Sequence, residues 1–277
     1  MNERIDWHSL GRAELDAGYN NAAAVPGSAE IMAAFEERSA AMRAAHPEHL
    51  DLAYGPRPRN RIDLLSPGEG APILVFIHGG YWQMRSKETF TFTASGPLAH
   101  GIGMALVGYT LAPDATLDDM AAEIRAAIDF LGAELPRRGG DPSKLWISGW
   151  SAGGHLAAMS LDHPLVRGGL VISGIYDLEP IRHIYVNDKL GLDESAAARN
   201  SPTLLRQSAK PLEIAVGGAE LPLMRQQSAD FARARSEQGL PGGFHELRGD
   251  NHFTIMEQLA SPEGRLTGLV RDLCKLK

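Results

Sequence analysis

The segment 145–156, LWISGWSAGGHL, constrains the fold of this chain more than any other stretch. Its residues indicate a short apolar strand, a serine flanked by glycines, and a run of small residues that can start a helix. Residues 149–153 match G-x-S-x-G, the pattern of a tight strand-to-helix turn that exposes the hydroxyl of Ser151. Glycine suits the positions around it, because a side chain there would collide with the neighbouring strand and helix. In a chain with 30 glycines the pattern alone also fits an ordinary turn, so other segments must support it.

Composition limits the class of protein. A chain of 277 residues with 44% hydrophobic and 22% charged residues suits one large α/β domain, to which we assign residues 1–277. The net charge of −7 argues against nucleic acid or a membrane as a partner, because nucleic acid and anionic lipid both require a basic surface. A homodimer is among the alternatives left open for the oligomeric state.

The ends of the chain bear on its location. The single cysteine, Cys274, leaves no internal disulfide, which is compatible with a reducing compartment. The first residues are polar and acidic, unlike a secretory signal, and no apolar run approaches the roughly 20 residues that span a bilayer. We therefore expect a cytoplasmic protein.

Apolar segments with the character of buried strands alternate with helical patterns from residue 72 onward. The strands are predicted at 72–77, 104–109, 145–150, 170–173, 212–216 and 244–247, and the helices at 86–100, 117–135, 222–238 and from about 254. This alternation predicts an α/β fold with a mostly parallel, twisted sheet and helices on both faces.

The remaining segments are interpreted as additions to that sheet. Residues 28–45 are a predicted helix, and residues 50–54 and 61–65 a predicted antiparallel strand pair. Residues 1–27 are expected to form an irregular N-terminal arm. Residues 176–206, rich in charged and small side chains, are predicted to be a short cap-like excursion that covers a pocket.

A glycine pair follows the predicted strand 72–77 directly, in the sequence HGGYW at 78–82. Hydrolysis of an ester or amide builds negative charge on the carbonyl oxygen, and each backbone N–H that binds it contributes about 3 kcal/mol. Adjacent glycines allow such close approach. The N–H groups of Gly79 and Gly80, with that of Ala152 after the serine, are therefore the candidate oxyanion hole. The alternative is a plain turn that ends the strand.

The candidate general base is His252, in the segment GDNHF that follows the predicted strand 244–247. Its place after Ser151 agrees with the chain order serine, acid, histidine of this type of fold. A structural or surface role is the alternative for any single histidine. We assign structural roles to His78 in the glycine loop and to His155 on the helix after the serine.

The candidate acid is Glu220, which follows the predicted strand 212–216 and would orient the imidazole. A carboxylate at the start of a helix, favoured by the helix dipole, is the structural alternative for this residue. Asp250 and Asp177 remain alternatives for the acid. No metal or cofactor is expected, since ligand-spaced clusters, phosphate loops and dinucleotide fingerprints are missing from the sequence.

Together these segments resemble the α/β-hydrolase fold and, more narrowly, the serine-hydrolase type of arylformamidase (kynurenine formamidase). The resemblance runs from residue 54 to about 259 and is carried by HGGYWQ (78–83), YTLAP (109–113), SAGGHLAAM (151–159), SGIYDLEPI (173–181), RNSP (199–202) and DNHF (250–253). General carboxylesterases of the hormone-sensitive-lipase type usually have a third glycine where Tyr81 stands. The resemblance implies Ser151 as nucleophile, His252 as base and Glu220 as acid, where the family commonly has aspartate.

The family hydrolyses N-formyl-L-kynurenine and also cleaves simple aryl esters. The resemblance thus implies a metal-independent serine hydrolase that acts on a small aryl formamide or aryl ester through an acyl-enzyme. Tyr81, Trp82, Trp150 and Phe253 are candidates for an aromatic substrate pocket, with a place in the core as the alternative for each. A general carboxylesterase or thioesterase, and a catalytically silent ligand-binding protein of this fold, are the alternative functions.

Overall fold

A single eight-stranded sheet forms the centre of the molecule, in the strand order β1-β2-β4-β3-β5-β6-β7-β8. The computed structural model describes residues 4–138 and 140–275. The strands are β1 (Leu52–Ala53), β2 (Arg61–Leu65), β3 (Ala71–Ile77), β4 (Gly103–Val107), β5 (Gly140–Trp150), β6 (Val166–Ile172), β7 (Leu212–Gly217) and β8 (Phe244–Leu247). Strand β2 pairs antiparallel with β1 and β4, and the pairs from β4 through β8 are parallel. The predicted α/β fold with a mostly parallel sheet is confirmed.

Helices connect the strands and cover the sheet. They are α1 (Arg12–Gly18), α2 (Asn21–Ala24), α3 (Ser28–Ala45), α4 (Ser95–Ala99), α5 (Leu117–Glu134), α6 (Ala152–Met159), α7 (Asn187–Leu190), α8 (Glu194–Arg199), α9 (Pro222–Glu237), α10 (Glu257–Ala260) and α11 (Arg265–Leu273). Shorter 3₁₀ helices lie at Trp7–Ser9, Lys87–Ala94, Leu135–Arg137, Pro180–His183, Pro202–Leu204 and Thr254–Met256. Within the described ranges, no helix has the length and apolar character needed to cross a membrane.

Both faces of the sheet are buried, because successive side chains of each strand point to opposite sides. In β3, Ile73 and Val75 pack into a core with α5, whereas Leu74 and Phe76 pack into a second core with α3 and α11. Apolar side chains on both faces explain why the central strands are continuous hydrophobic runs in the sequence.

Helix α5 shows how local sequence and packing agree. Its apolar residues Met120, Ile124, Ala127, Ile128 and Leu131 recur at helical spacing and are fully buried. Thr116 caps the start of the helix by accepting a hydrogen bond from the Asp119 N–H at 3.2 Å.

The N-terminal segment differs from the irregular arm expected for residues 1–27. It contains a 3₁₀ turn capped by Asp6, followed by α1 and α2, and α2 is capped by Asn20. These helices are too short to show a 3.6-residue hydrophobic period, so the sequence pattern could not reveal them.

The excursion at 176–206 packs against this N-terminal segment. The Tyr185 N–H donates to Asp16 at 2.8 Å, and the His183 ring stacks on Trp7 with 5.6 Å between centroids. The Gln83 amide, beside the glycine loop, donates to the Val186 carbonyl at 2.5 Å. The excursion and the N-terminal segment therefore both adjoin the loop that follows β3.

Candidate active site

Ser151 lies in the turn between β5 and α6 with φ 56° and ψ −122°, a backbone conformation that few non-glycine residues adopt. The turn leaves no room for a side chain at the glycines two residues before and after Ser151. A Cβ on Gly149 would lie 2.1 Å from the Gly153 carbonyl oxygen, and one on Gly153 would lie 2.0 Å from the Ile77 carbonyl oxygen. The Ser151 N–H donates to the Ile172 carbonyl at 2.8 Å, which ties the turn to β6.

The sheet brings other polar side chains to the same edge. Parallel neighbouring strands end side by side, so the residues after β5, β6, β7 and β8 are close in space. Ser151 follows β5, Ser173 follows β6, Glu220 follows β7, and His252 follows β8. The loop after β7 is also tied to the loop after β8, since the Ala219 N–H donates to the Asp250 carbonyl at 2.9 Å.

These side chains form a hydrogen-bonded chain. His252 Nε2 lies 3.1 Å from Ser151 Oγ, and His252 Nδ1 lies 2.7 Å from Glu220 Oε2. All three residues are buried: Ser151 is 2% exposed, His252 3% and Glu220 6%. A carboxylate in this position selects the imidazole tautomer that accepts the serine proton at Nε2. The arrangement can therefore activate the serine hydroxyl.

The second oxygen of Glu220 has its own donors. Oε1 accepts hydrogen bonds from the Ser173 hydroxyl at 2.5 Å and from the Gly217 N–H at 2.7 Å. Ser173 was not a candidate from the sequence, where it is one more small residue after a strand. The pairing of β6 with β7, which aligns Ile172 with Ala215, is what brings it to Glu220.

The other two candidate acids form no hydrogen bond with the imidazole among the described residues. The Asp250 carboxylate accepts from the Gln258 amide at 3.1 Å, and burial raises its pKa. The Asp177 carboxylate accepts from the Glu179 N–H at 3.0 Å, and burial raises its pKa as well. The geometry thus brings Glu220, rather than Asp250 or Asp177, to His252.

The glycine loop lies directly against the serine turn. A Cβ on Gly79 would lie 2.7 Å from the Trp150 carbonyl oxygen and 2.9 Å from Ser151 Cβ. The N–H groups of Gly79, Gly80 and Ala152 donate to no backbone carbonyl in the described part of the chain. N–H groups without a backbone acceptor beside a nucleophile are what an oxyanion requires, and Gly79 and Ala152 are placed in this way against Ser151.

His78 and His155 brace this loop. His78 is fully buried, which lowers its pKa to about 3, and it bonds the Gly79 carbonyl through Nδ1 at 2.8 Å. His155 is also buried, its pKa lowered to about 4. Its Nδ1 accepts from the Trp82 indole at 3.2 Å and its Nε2 donates to the Asn200 carbonyl at 2.7 Å. Both histidines are neutral structural groups, and Trp82 is tied to the helix that follows the serine.

The four aromatic residues predicted to line a pocket differ in their burial and in their hydrogen-bond partners. Trp82 is 0% exposed and packs in the core, where its indole donates to His155. Trp150 and Phe253 are buried beside the imidazole, and the Trp150 indole donates to the His252 carbonyl at 2.8 Å. Tyr81 is half-buried: its hydroxyl donates to the Tyr19 carbonyl of the N-terminal segment.

Comparisons with known proteins agree with this architecture. A family model described as BD-FAE matches residues 63–162. The kynurenine formamidase of Danio rerio is 31% identical over 96% of this chain and 97% of its own length, and that of Salmo salar is 35% identical over 80% of each. A solved structure described as a "putative thioesterase" from Silicibacter sp. TM1040 superposes with a TM-score of 0.84 at 29% identity, covering 93% of this chain and 98% of that one.

The sheet order, the tight serine turn and the glycine loop after β3 are the features of an α/β-hydrolase, a class of enzymes that includes esterases. The chain belongs to the kynurenine formamidase family, as the extent of its similarity to the fish proteins shows. It is accordingly a hydrolase that acts on small substrates.

Substitution of Gly79 tests the contact between the glycine loop and the serine turn. Gly79→Ala forces a Cβ against Trp150 and Ser151, so the loop must move and its N–H groups lose their positions. We expect kcat for p-nitrophenyl acetate to fall by roughly 100-fold, the effect of removing one oxyanion donor. Gly268→Ala on α11, where a Cβ meets nothing within 4 Å, is the matched control and should keep full activity. Equal activities of the two variants would contradict the loop's role.

Proposed function

We propose that this protein is a metal-independent serine hydrolase that cleaves a small aryl formamide, of the type of N-formylkynurenine, or a small aryl ester. Ser151 is the nucleophile, His252 the general base and acid, and Glu220 the carboxylate that orients the imidazole. The N–H groups of Gly79, Gly80 and Ala152 form the oxyanion hole. The observation that carries the proposal is the continuous chain from Ser151 Oγ through His252 to Glu220, at 3.1 and 2.7 Å.

The geometry gives each step a donor and an acceptor. Ser151 Oγ attacks the carbonyl carbon while its proton passes to His252 Nε2, and the carbonyl oxygen becomes an oxyanion held by the backbone N–H groups. Collapse of this intermediate breaks the C–N or C–O bond, and the imidazolium returns the proton to the leaving amine or alcohol. Water, deprotonated by the same imidazole, then attacks the acyl-enzyme and releases the acid and Ser151. For a formamide the acyl-enzyme is a formyl ester and the acid is formate.

Two observations favour a small acyl group. Ser151 and His252 are almost completely buried, which limits access to the hydroxyl. Trp150 and Phe253 further restrict it, with ring centroids 4.8 and 5.7 Å from that of His252. A formyl group is the smallest acyl group, since it has hydrogen in place of an alkyl chain. It therefore fits a buried site of this kind best.

The alternative function is a general carboxylesterase or thioesterase. It is favoured by the likeness to the solved structure described as a thioesterase, which covers nearly the whole chain. A catalytically silent ligand-binding protein is the second alternative, which the complete hydrogen-bonded chain at Ser151 argues against.

The first test is substitution of the proposed nucleophile. Ser151→Ala should lower kcat by about 10⁴-fold or more, since the remaining catalysis comes from the oxyanion hole and binding alone. A fluorophosphonate probe should label the unsubstituted protein and not the variant. Ser160→Ala removes another buried hydroxyl, one without a hydrogen-bond partner among the described residues, and should retain activity and labelling.

Two outcomes would end this proposal. Unchanged turnover in Ser151→Ala would exclude this serine as the nucleophile. Loss of activity on treatment with a chelator, restored by a divalent metal, would exclude a metal-independent mechanism.

Substrate preference distinguishes the formamidase from its alternatives. The value of kcat/KM should be highest for N-formylkynurenine, lower for p-nitrophenyl acetate, and should fall by at least about tenfold for each lengthening of the acyl chain from acetate to butyrate to hexanoate. The physical reason is steric, because extra methylenes must fit beside the buried imidazole and the Trp150 and Phe253 rings that pack against it. An optimum for butyrate or for an acyl thioester would instead assign the protein to the esterases or thioesterases.

The identity of the acid is tested by a matched pair of isosteric substitutions. Glu220→Gln removes the charge beside His252 Nδ1 and admits the wrong tautomer, so kcat should fall by about 10³- to 10⁴-fold at neutral pH. Asp250→Asn alters a carboxylate that contacts Gln258 and should change kcat by no more than about threefold. The opposite ranking of the two variants would make Asp250 the acid.

A further inference from the structure

We propose that Ser173 is a positioning residue that fixes the carboxylate of Glu220 and so sets the orientation and the proton affinity of His252. The inference rests on the proposed roles of Glu220 and His252. Ser173 is completely buried, and its hydroxyl donates to Glu220 Oε1 at 2.5 Å. No substrate atom needs to touch it, since it acts through the acid.

The fold holds Ser173 firmly in this position. It follows β6 directly, and its N–H donates to the Ala215 carbonyl of β7 at 2.7 Å. Its φ is 51°, in the left-handed region where glycine fits without strain and a side chain does not. A serine in such a position indicates that the hydroxyl contributes something that glycine cannot, and the bond to Glu220 is that contribution.

The two oxygens of Glu220 have separate tasks. Oε1 is held by the Ser173 hydroxyl and the Gly217 N–H, which leaves Oε2 to His252 Nδ1. A glutamate side chain has one more rotatable bond than aspartate, so a carboxylate bonded only through Oε2 could turn without losing that contact. Donors on both oxygens remove this freedom and fix the plane of the imidazole.

The surroundings of Glu220 supply little positive charge, so its neutral hydrogen-bond donors contribute more to stabilising the carboxylate. Asp250, Tyr81 and Tyr176 are titratable groups in the neighbourhood of this carboxylate, and none of them can carry a positive charge. Within the described residues, His252 is the only basic side chain within 4.0 Å of the Glu220 carboxylate, and it is charged only when protonated. The negative charge is therefore stabilised by neutral donors, of which the Ser173 hydroxyl is one.

The experiment compares Ser173→Ala and Ser173→Gly with the unsubstituted protein and with Ser160→Ala as the control for loss of a buried hydroxyl. With p-nitrophenyl acetate, both Ser173 variants should lose roughly tenfold in kcat, as expected for one hydrogen bond to a charged group, with KM changed less than twofold. Since Ser173→Gly removes the hydroxyl and relieves the strained φ, recovery of full activity in this variant alone would mean that the backbone, and not the hydroxyl, matters.

A pH profile separates positioning from a merely structural effect. Without the hydroxyl, the ionised pair of Glu220 and neutral His252 loses a donor and binds a proton more tightly, whichever of the two groups receives it. The acid limb of kcat/KM should therefore move to higher pH in Ser173→Ala, whereas a variant that only loosens packing would keep the midpoint. An unshifted limb would overturn the inference.

A double-mutant cycle identifies the residue through which Ser173 acts. In a Glu220→Ala background, Ser173→Ala should cost less than twofold in kcat, because the oxygen that it bonds is gone. A full tenfold loss of kcat in that background would overturn the inference about Ser173, but it would not contradict the proposed roles of Ser151, His252 and Glu220. If instead Ser151→Ala retains full activity, the proposed function itself has failed. If Ser173→Ala does not fold, as judged by circular dichroism, Ser173→Cys replaces it, because the thiol keeps a weaker donor. This variant should show a smaller loss of kcat and a smaller pH shift in the same directions.

Discussion

The turn at Ser151 is the constraint on which the rest of the site depends. A positive φ at a non-glycine residue is unfavourable in isolation, and it persists here because β5, β6 and α6 hold the backbone on every side. Gly149 and Gly153 lack side chains because carbonyl oxygens occupy that space. The same close packing brings Gly79 against Ser151. The strained turn therefore positions both the Ser151 hydroxyl and the backbone of the glycine loop beside it.

The site also shows how a buried charge is accommodated without a lysine or arginine. Glu220 is almost fully buried, and its oxygens are satisfied by an imidazole, a hydroxyl and a backbone N–H. Buried carboxylates require such partners, because an unpaired charge in the protein interior is costly. The donors come from the residue after β6, the last residue of β7 and the loop after β8, so the carboxylate also couples neighbouring strand ends.

The main features of the fold could be predicted because they are local or periodic. The buried strands are continuous apolar runs, α5 has a clear stripe, and Ser151 and Glu220 directly follow or closely follow predicted strands. Ser173 could not be identified in this way, since its partner is 47 residues away and the contact exists only once β6 and β7 pair. The surroundings of Trp82 could not be predicted for a related reason: an aromatic side chain after a glycine pair fits a pocket wall or a core, and its bond to His155 depends on the packing of the following helix.

The sequence by itself determined the alternation of strands and helices, the tight turn at Ser151 and the chain order of serine, glutamate and histidine, because these depend on spacing and on residue type. Only the tertiary structure decided which carboxylate meets His252. Glu220 and Asp250 both lie near the ends of neighbouring strands, and the difference between them is a matter of side-chain direction: one reaches His252 at 2.7 Å and the other reaches Gln258. Direction is set by how the strands pack, and a linear pattern does not contain it.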